Sequence, residues 1–257
     1  SAGDFQQRIS ELFLRSVKEE KLLQQTSLKD YDAIINKGNV RHLRPTLYDL
    51  LAFRALEYFS GDESDLTQPA YAFTVDQAEA LAPVATFIKT KFETKDSLSL
   101  HHKALQLFQH VLAFHLKDAK PDALIDADLM RIGFAYGRSV HPEKETLYLQ
   151  TLRQLTDKYG DLPAASQAWY LIAVEYNKKA EDYKPFGDTS NRYLRVEAKK
   201  ICEKILAQKD SSEGKLNAAQ LLRIITTPTL RFTIEKVNVP GQPFRALVEY
   251  NNVTNIW

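Results

Sequence analysis

The sequence predicts a mainly α fold, built from successive helical hairpins and followed by a short C-terminal β segment. Apolar residues recur at helical spacing through most of residues 1–226. A stretch at 129–136 is echoed at 169–176, as expected of a helical-hairpin repeat. After Thr226 apolar and polar residues alternate, which is the period of a strand that faces a core.

The echo preserves an apolar face rather than residue identities. It places Leu129, Ile132, Gly133, Phe134 and Tyr136 on Trp169, Ile172, Ala173, Val174 and Tyr176. Each stretch has one small residue, Gly133 or Ala173, where we expect a neighbouring helix to come close. Gly133 and Gly137 also form a Gly-x-x-x-Gly pattern, which indicates close helix packing in a soluble amphipathic helix. The pattern predicts a TPR-like array, similar to tetratricopeptide repeats, and such scaffolds bind other molecules.

The N-terminal part is predicted to contain several helices of unequal length. Apolar spacing predicts one amphipathic helix over 4–25 and a short helix that ends near Gly38. Thr46 can cap the next helix, 47–59, and its few charged residues predict burial on most sides. Residues 60–72 are predicted as a loop and 76–82 as a short helix. The run 84–92 fits helix or strand, and we favour a helix because its neighbours are helical.

The repeat region is predicted to follow one further long helix. That helix starts at Ser97 or Ser99 and runs to His115. The repeat helices are predicted at 121–138, 145–159, 163–181, 194–208 and 213–226. Residues 182–192 form the most irregular insertion between them, and loops of this kind tend to carry contacts.

The C-terminal segment is predicted to be a β-hairpin. Alternation predicts one strand over 230–234, a bulge at Glu235 and Lys236, a turn at 240–243 and a returning strand over 244–250. We therefore divide the chain into a helical-repeat domain, 1–226, and the start of a β-sandwich domain, 227–257. The apolar end Ile256-Trp257 predicts a cut inside that β domain, and a start without methionine predicts a processed or recloned piece.

Composition excludes several classes of partner. The 34 basic and 33 acidic residues give a net charge of +1, whereas nucleic acids and anionic membranes demand a basic surplus. The longest apolar stretches fall far short of the ~18 residues that span a bilayer. Cys202 is the only cysteine, so the chain has no internal disulfide.

No motif for catalysis, a metal or a cofactor is found in the sequence. The six histidines include no pair three or four residues apart, so no local helical metal pair can form. Asp122, Asp126 and Asp128 cluster at a helix start, where we expect capping rather than calcium binding. Cys202 lies on the apolar side of a helix and is predicted to be a buried, inert thiol. We expect a protein that is not an enzyme.

Aromatic residues are the candidates for partner binding. The chain has 12 tyrosines, 13 phenylalanines and 2 tryptophans, enough to line a groove for a peptide or a glycan. The candidates in the repeat helices and in the 182–192 loop are Tyr136, Trp169, Tyr170, Tyr176, Tyr183 and Phe186. At helical spacing such residues also serve to pack one repeat on the next.

Three stretches resemble a known family. These are 44–59 (RPTLYDLLAFRALEYF), 122–129 (DALIDADL) and 237–250 (VNVPGQPFRALVEY). The first two resemble the N-terminal helical region of the large alpha-2-macroglobulin-like proteins of Bacteroides-type bacteria. The third is similar to the opening strands of a first macroglobulin-type β-sandwich. The resemblance covers most of the chain, in the same order of helical region and then β start.

The resemblance implies a cell-envelope protein whose β-sandwich array traps proteases or shields against them. Many members carry a thioester built from a Cys-x-x-Gln motif, but Cys202 is followed by Glu203, Lys204 and Ile205, so it is not that cysteine. A bait region or a thioester domain would lie beyond Trp257.

These observations predict a non-enzymatic scaffold at the head of such a protein. It would bind a protein partner or its own downstream β domains. An open strand edge near 253–257 would also allow weak self-association. The alternative is an envelope protein that binds glycans or peptides through a helical-repeat body, which the aromatic residues and the 182–192 loop favour.

Overall fold

The computed structural model describes residues 2–36, 38, 40–61, 69–184, 186–209, 211–237 and 240–255. Over these residues the chain is mainly helical, with ten α-helices and one two-stranded antiparallel sheet at the C-terminal end. This confirms the mainly α fold with a short C-terminal β segment. The chain forms two compact units, Ser1–Tyr159 and Gly160–Trp257. Within the described ranges, no helix is both long enough and apolar enough to cross a membrane.

The N-terminal unit contains seven of the described helices. They are α1 (Ala2–Ser16), α2 (Glu20–Gln25), α3 (Leu47–Phe59), α4 (Val84–Phe87), α5 (Leu100–His115), α6 (Asp122–Arg138) and α7 (Lys144–Tyr159). Short 3₁₀ turns occupy 28–31, 41–43 and 78–81. Part of the predicted 60–72 loop, residues 62–68, lies outside the described residues.

Two predicted helices are shorter than their apolar patterns. The helix predicted over 4–25 is broken between α1 and α2, where the Ser16 hydroxyl donates to the carbonyl of Phe13 at 2.7 Å. Such a side-chain bond competes with the helical backbone pattern. The run 84–92 is helical only to Phe87. Beyond that point the side-chain amide of Gln109 donates hydrogen bonds to the carbonyls of Phe87 and Thr90, at 2.7 Å each.

Helix α3 lies at the centre of the N-terminal unit. The Thr46 side chain accepts from the Asp49 N–H and the Asp49 carboxylate accepts from the Thr46 N–H, which is a complete capping box. Tyr48, Ala52 and Leu56 on this helix are fully buried, and the helix packs mainly on α5. The predicted cap and the predicted burial of the helix are confirmed.

The C-terminal unit contains α8 (Ser166–Lys179), α9 (Leu194–Leu206) and α10 (Glu213–Thr226). Arg195 at the start of α9 donates to Asn177 near the end of α8 at 3.2 Å, so these two helices are antiparallel. Helix α10 returns to the start of α8, where Gly214 meets Ser166 and Gln167. The core between the three helices consists of Ala173, Ala198, Cys202, Ile205, Ala218, Leu221 and Ile225.

Close helix packing occurs at Gly214 and not at the two glycines where it was predicted. Gly133 and Gly137 are exposed, and a Cβ placed on either would meet nothing within 4 Å. The prediction of close packing at these two positions is wrong, because the Gly-x-x-x-Gly edge of α6 faces away from its neighbours. At Gly214 a Cβ would lie 2.3 Å from the backbone nitrogen of Gln167, so α10 approaches α8 too closely for any side chain.

The C-terminal hairpin pairs β1 (Thr229–Ile234) with β2 (Ala246–Asn251). The pairing starts at Thr229 and Asn251 and ends at Ile234 and Ala246. The ladder therefore stops before the bulge predicted at Glu235 and Lys236, and β2 begins later than predicted. Asn238 and Val239, which lie between the predicted bulge and the predicted turn, are outside the described residues, as are Ile256 and Trp257 at the chain end.

Candidate interaction sites

Three of the candidate aromatic residues lie on α8 and pack against the core of the C-terminal unit. Trp169, Tyr170 and Tyr176 are each half-buried there. The Trp169 Nε1–H donates to the carbonyl of Gly160 at 3.2 Å, and the Lys204 ammonium lies 4.2 Å from the centre of its ring. The indole is therefore engaged within its own unit.

The other three candidates are placed differently. Tyr136 belongs to the N-terminal unit, where its ring stacks on Tyr148 with 4.1 Å between the centroids. Tyr183 is half-buried and Phe186 is fully exposed, both in the loop between α8 and α9. Only the trio on α8 shares one element, so a single aromatic surface made of all six residues stays a prediction.

An open apolar groove lies between α1 and α3 in the N-terminal unit. Its volume is about 620 Å³, within the range of ligand sites. Its apolar walls are Ile9, Leu12 and Phe13 on α1 and Leu51 and Tyr58 on α3. The rings of Phe13 and Tyr58, one from each wall, stack with 4.9 Å between their centroids.

A second groove, of about 240 Å³, lies along the other side of α3. Its apolar lining comes from Leu28, Ile35, Val40, Leu50 and Phe53. Arg54 and Glu57 border both grooves, so they form the exposed ridge of α3 that separates them.

The second groove also contains a guanidinium with an unused donor. Arg41 binds Asp32 through Nη1 at 2.7 Å, while its buried Nη2 has no hydrogen-bond partner within the described part of the chain. Arg44 is held in place by Asp126, at 3.3 Å, and by the face of Phe53, at 3.8 Å from the ring centre. This groove is thus smaller and more basic than the first.

A buried histidine connects α3 with α5. His115 is the last residue of α5 and is 1% exposed. Its Nε2 lies 2.9 Å from the fully buried Asp49, and its Nδ1 lies 2.7 Å from Asp118. A carboxylate oxygen accepts hydrogen bonds, so a carboxylate beside each ring nitrogen favours the doubly protonated ring, which has an N–H for each of them. Burial lowers the pKa of His115, but Asp49 and Asp118 outweigh it and raise the pKa above its ordinary value.

Of the acidic cluster at the start of α6, Asp122 lies in the first turn of the helix, as predicted, whereas Asp126 and Asp128 do not. Pro121 is the N-cap residue and makes no side-chain capping bond. Asp126 binds Arg44, and Asp128 binds the fully buried Arg131, whose Nη1 also donates to the carbonyl of Ala80 at 2.8 Å. Two of the three aspartates therefore form ion pairs with distant or buried arginines, and capping is the wrong interpretation for them.

Cys202 is fully buried in the core of the C-terminal unit. Burial raises the pKa of its thiol to about 11, against the opposing effect of a backbone hydrogen bond. A thiol with this pKa is almost entirely protonated near neutral pH, and the thiolate is the reactive form.

We expect Cys202 to resist a thiol-specific disulfide reagent while the protein is folded and to react fully in denaturant. The rate of labelling, followed by mass spectrometry, measures this. An exposed comparison thiol is provided by Lys199→Cys in a Cys202→Ala background, since Lys199 is 46% exposed on the same helix. Equal labelling rates for the two thiols in the folded state would contradict the burial of Cys202.

No group of three or more metal-binding side chains comes together within the described ranges. Comparison of the chain with protein-family models, with curated proteins and with solved structures gives no match.

Proposed function

We propose that this chain is a non-enzymatic helical interaction module that precedes the β domains of an alpha-2-macroglobulin-like cell-envelope protein. Its helices bind a protein partner or the protein's own β domains. Protease trapping or defence would belong to the whole protein, as the sequence resemblance implies. The observation that carries this proposal is the apolar face of the C-terminal hairpin.

That face is continuous, and most of it is exposed. The pairing register places six apolar side chains on one side of the hairpin: Leu230, Phe232, Ile234, Ala246, Val248 and Tyr250. Phe232 is 57% exposed, although the three helices of the same unit have a closed core of their own. A lone two-stranded hairpin is marginally stable in water, and a sheet with one apolar face needs a second layer. Further β structure that packs on this face would supply that layer, as in a β-sandwich.

We also propose that the helices form a TPR-like array, and their arrangement supports this. Helix α9 runs antiparallel to α8, and the start of α10 returns to the start of α8 at Gly214. In the N-terminal unit, α6 and α7 also pack on one another, with Tyr136 stacked on Tyr148. Two helix pairs of this kind are what a helical-hairpin repeat provides.

The uncovered face is expected to make the isolated chain associate weakly with itself. Sedimentation velocity should show a monomer–dimer equilibrium that shifts with protein concentration. Phe232→Glu places a charge on the apolar face and should leave a monomer. Thr233→Glu places the same charge on the opposite face of the same strand and should leave the equilibrium unchanged.

A strict monomer at every concentration would count against this role of the hairpin face. Identical behaviour of Phe232→Glu and Thr233→Glu would do the same, because association would then involve some other surface.

A further inference from the structure

We propose that Asn252 is a latch that holds the C-terminal hairpin in one orientation on the end of α10. The hairpin meets the helices at its base, where β1 follows α10 after two residues and Asn252 follows the last residue of β2. The inference goes beyond the proposed function, because it concerns how the hairpin is held and not what its apolar face contacts.

The strands of the hairpin have little packing that would fix them on the helices. All six residues of β1 are exposed, and Val248 is the one residue of β2 that is partly buried. The link from α10 to β1 is Thr227 and Pro228, and the proline has no N–H with which to extend the hydrogen bonding of either element. Without a further contact, the hairpin would be free to turn about the backbone of these two residues.

The side chain of Asn252 supplies that contact. Its Nδ2 donates to the carbonyl of Ile225 at 2.8 Å and to the carbonyl of Thr227 at 3.2 Å. An amide nitrogen carries two hydrogens, so it can serve both acceptors. The carbonyl of Ile225 lies in the last turn of α10, where carbonyls have no partner within the helix. The amide therefore caps the helix and ties the hairpin to it.

The backbone of Asn252 is suited to this position. Its φ is 53°, in the left-handed region that asparagine tolerates better than most residues with a side chain. The neighbouring Asn251 has a different role, because its Nδ2 donates to the Thr229 hydroxyl across the base of the hairpin at 3.0 Å. Asn251 thus closes the base of the hairpin, and Asn252 attaches that base to α10.

The distance between two spin labels, measured by double electron–electron resonance, tests the latch. The labels are attached to Lys199→Cys on α9 and Thr233→Cys on β1, in a Cys202→Ala background. Excess unlabelled chain keeps the measurement to distances within one molecule. Thr233 is four residues, or about 13 Å, from the start of β1, so a turn at the base displaces its label. We expect one narrow distance distribution, and one at least about twofold broader in Asn252→Gly, which permits the same φ without the amide.

Two further variants separate the hydrogen bonds from other effects of the substitution. Asn252→Asp also tolerates the left-handed region, but its carboxylate has no N–H to donate, so the distribution should broaden as it does with glycine. Asn251→Ala removes the neighbouring amide and should leave the distribution narrow.

Distributions that stay narrow in both Asn252 variants would overturn the proposal. A chain with Asn252 intact whose distribution is as broad as theirs, or an equal broadening by Asn251→Ala, would also overturn it. The self-association expected of the hairpin is measured separately and involves the apolar face, whereas Asn252 lies outside the paired strands and Thr233 on the opposite face. The two proposals therefore fail separately.

Discussion

Replacing Gly214 with alanine is expected to destabilise the C-terminal unit by about 3 kcal/mol, the upper end of the usual cost of overpacking. The new Cβ would lie 2.3 Å from the Ser166 carbonyl carbon and the Gln167 nitrogen. Both are backbone atoms, so no side-chain rotation relieves the clash and α10 must move away from α8. Urea unfolding followed by tryptophan fluorescence measures the loss, because Trp169 lies in this unit and residues 1–159 contain no tryptophan.

Gly133→Ala is the matched control. Gly133 also lies within a helix, but it is exposed and its Cβ would meet nothing within 4 Å. Alanine there should be neutral or stabilise the N-terminal unit by up to about 1 kcal/mol, since alanine is the better helix former; far-ultraviolet circular dichroism measures this change, because residues 1–159 contain no tryptophan. An unchanged stability of Gly214→Ala, or an equal loss for both variants, would contradict the close approach of α10 to α8.

Replacing His115 with leucine is expected to destabilise the N-terminal unit by about 3 kcal/mol or more, as when one partner of a buried ion pair is removed. The variant leaves the Asp49 carboxylate fully buried with Thr46 as its remaining partner. Urea unfolding followed by far-ultraviolet circular dichroism measures the loss. His110→Leu on the same helix is the control, because the His110–Glu20 pair is largely exposed and should contribute less than about 1 kcal/mol.

The same histidine gives the stability of the N-terminal unit a definite dependence on pH. Its folded pKa is raised above the unfolded value of about 6.5, so its contribution is complete below that pH and is lost as the pH rises through the folded pKa. The wild type should therefore lose more stability than His115→Leu between pH 6 and alkaline pH. Parallel pH profiles would show that His115 is not an imidazolium in the folded protein.

Much of the helical architecture could be predicted because the signals that start helices are local. Thr46, Ser99 and Ser212 each cap a predicted helix through their own side chain. The break after Ser16 could not be predicted. A serine hydroxyl within a helix can point to solvent or bond to a backbone carbonyl, as Ser16 does to Phe13, and the sequence does not show which. The sequence also did not show which of Gly133 and Gly214 lies against a second helix, because that approach depends on tertiary packing.

The groove between α1 and α3 could not be predicted for a related reason. Periodicity identifies apolar residues on a helix, but it does not tell which of two apolar stripes another element covers. Phe5 and Leu12 belong to the apolar pattern that predicts the helix over 4–25, and both are exposed in the folded unit. The aromatic composition made Trp169 a candidate for partner binding. In the structure its ring lies against Lys204 and its N–H donates to the carbonyl of Gly160.

The most direct test of the proposed place of this chain in a larger protein is hydrogen–deuterium exchange of the hairpin amides. The measurement compares residues 229–234 and 246–251 in the chain alone and in a chain extended by the residues that its gene encodes after Trp257. If the hairpin forms the first two strands of a β-sandwich, its apolar face is covered in the longer chain. Local unfolding of the hairpin then becomes rarer, and its amides should exchange at least about tenfold more slowly. Unchanged exchange in the longer chain, or a gene without a β-rich segment at that point, would contradict the proposal.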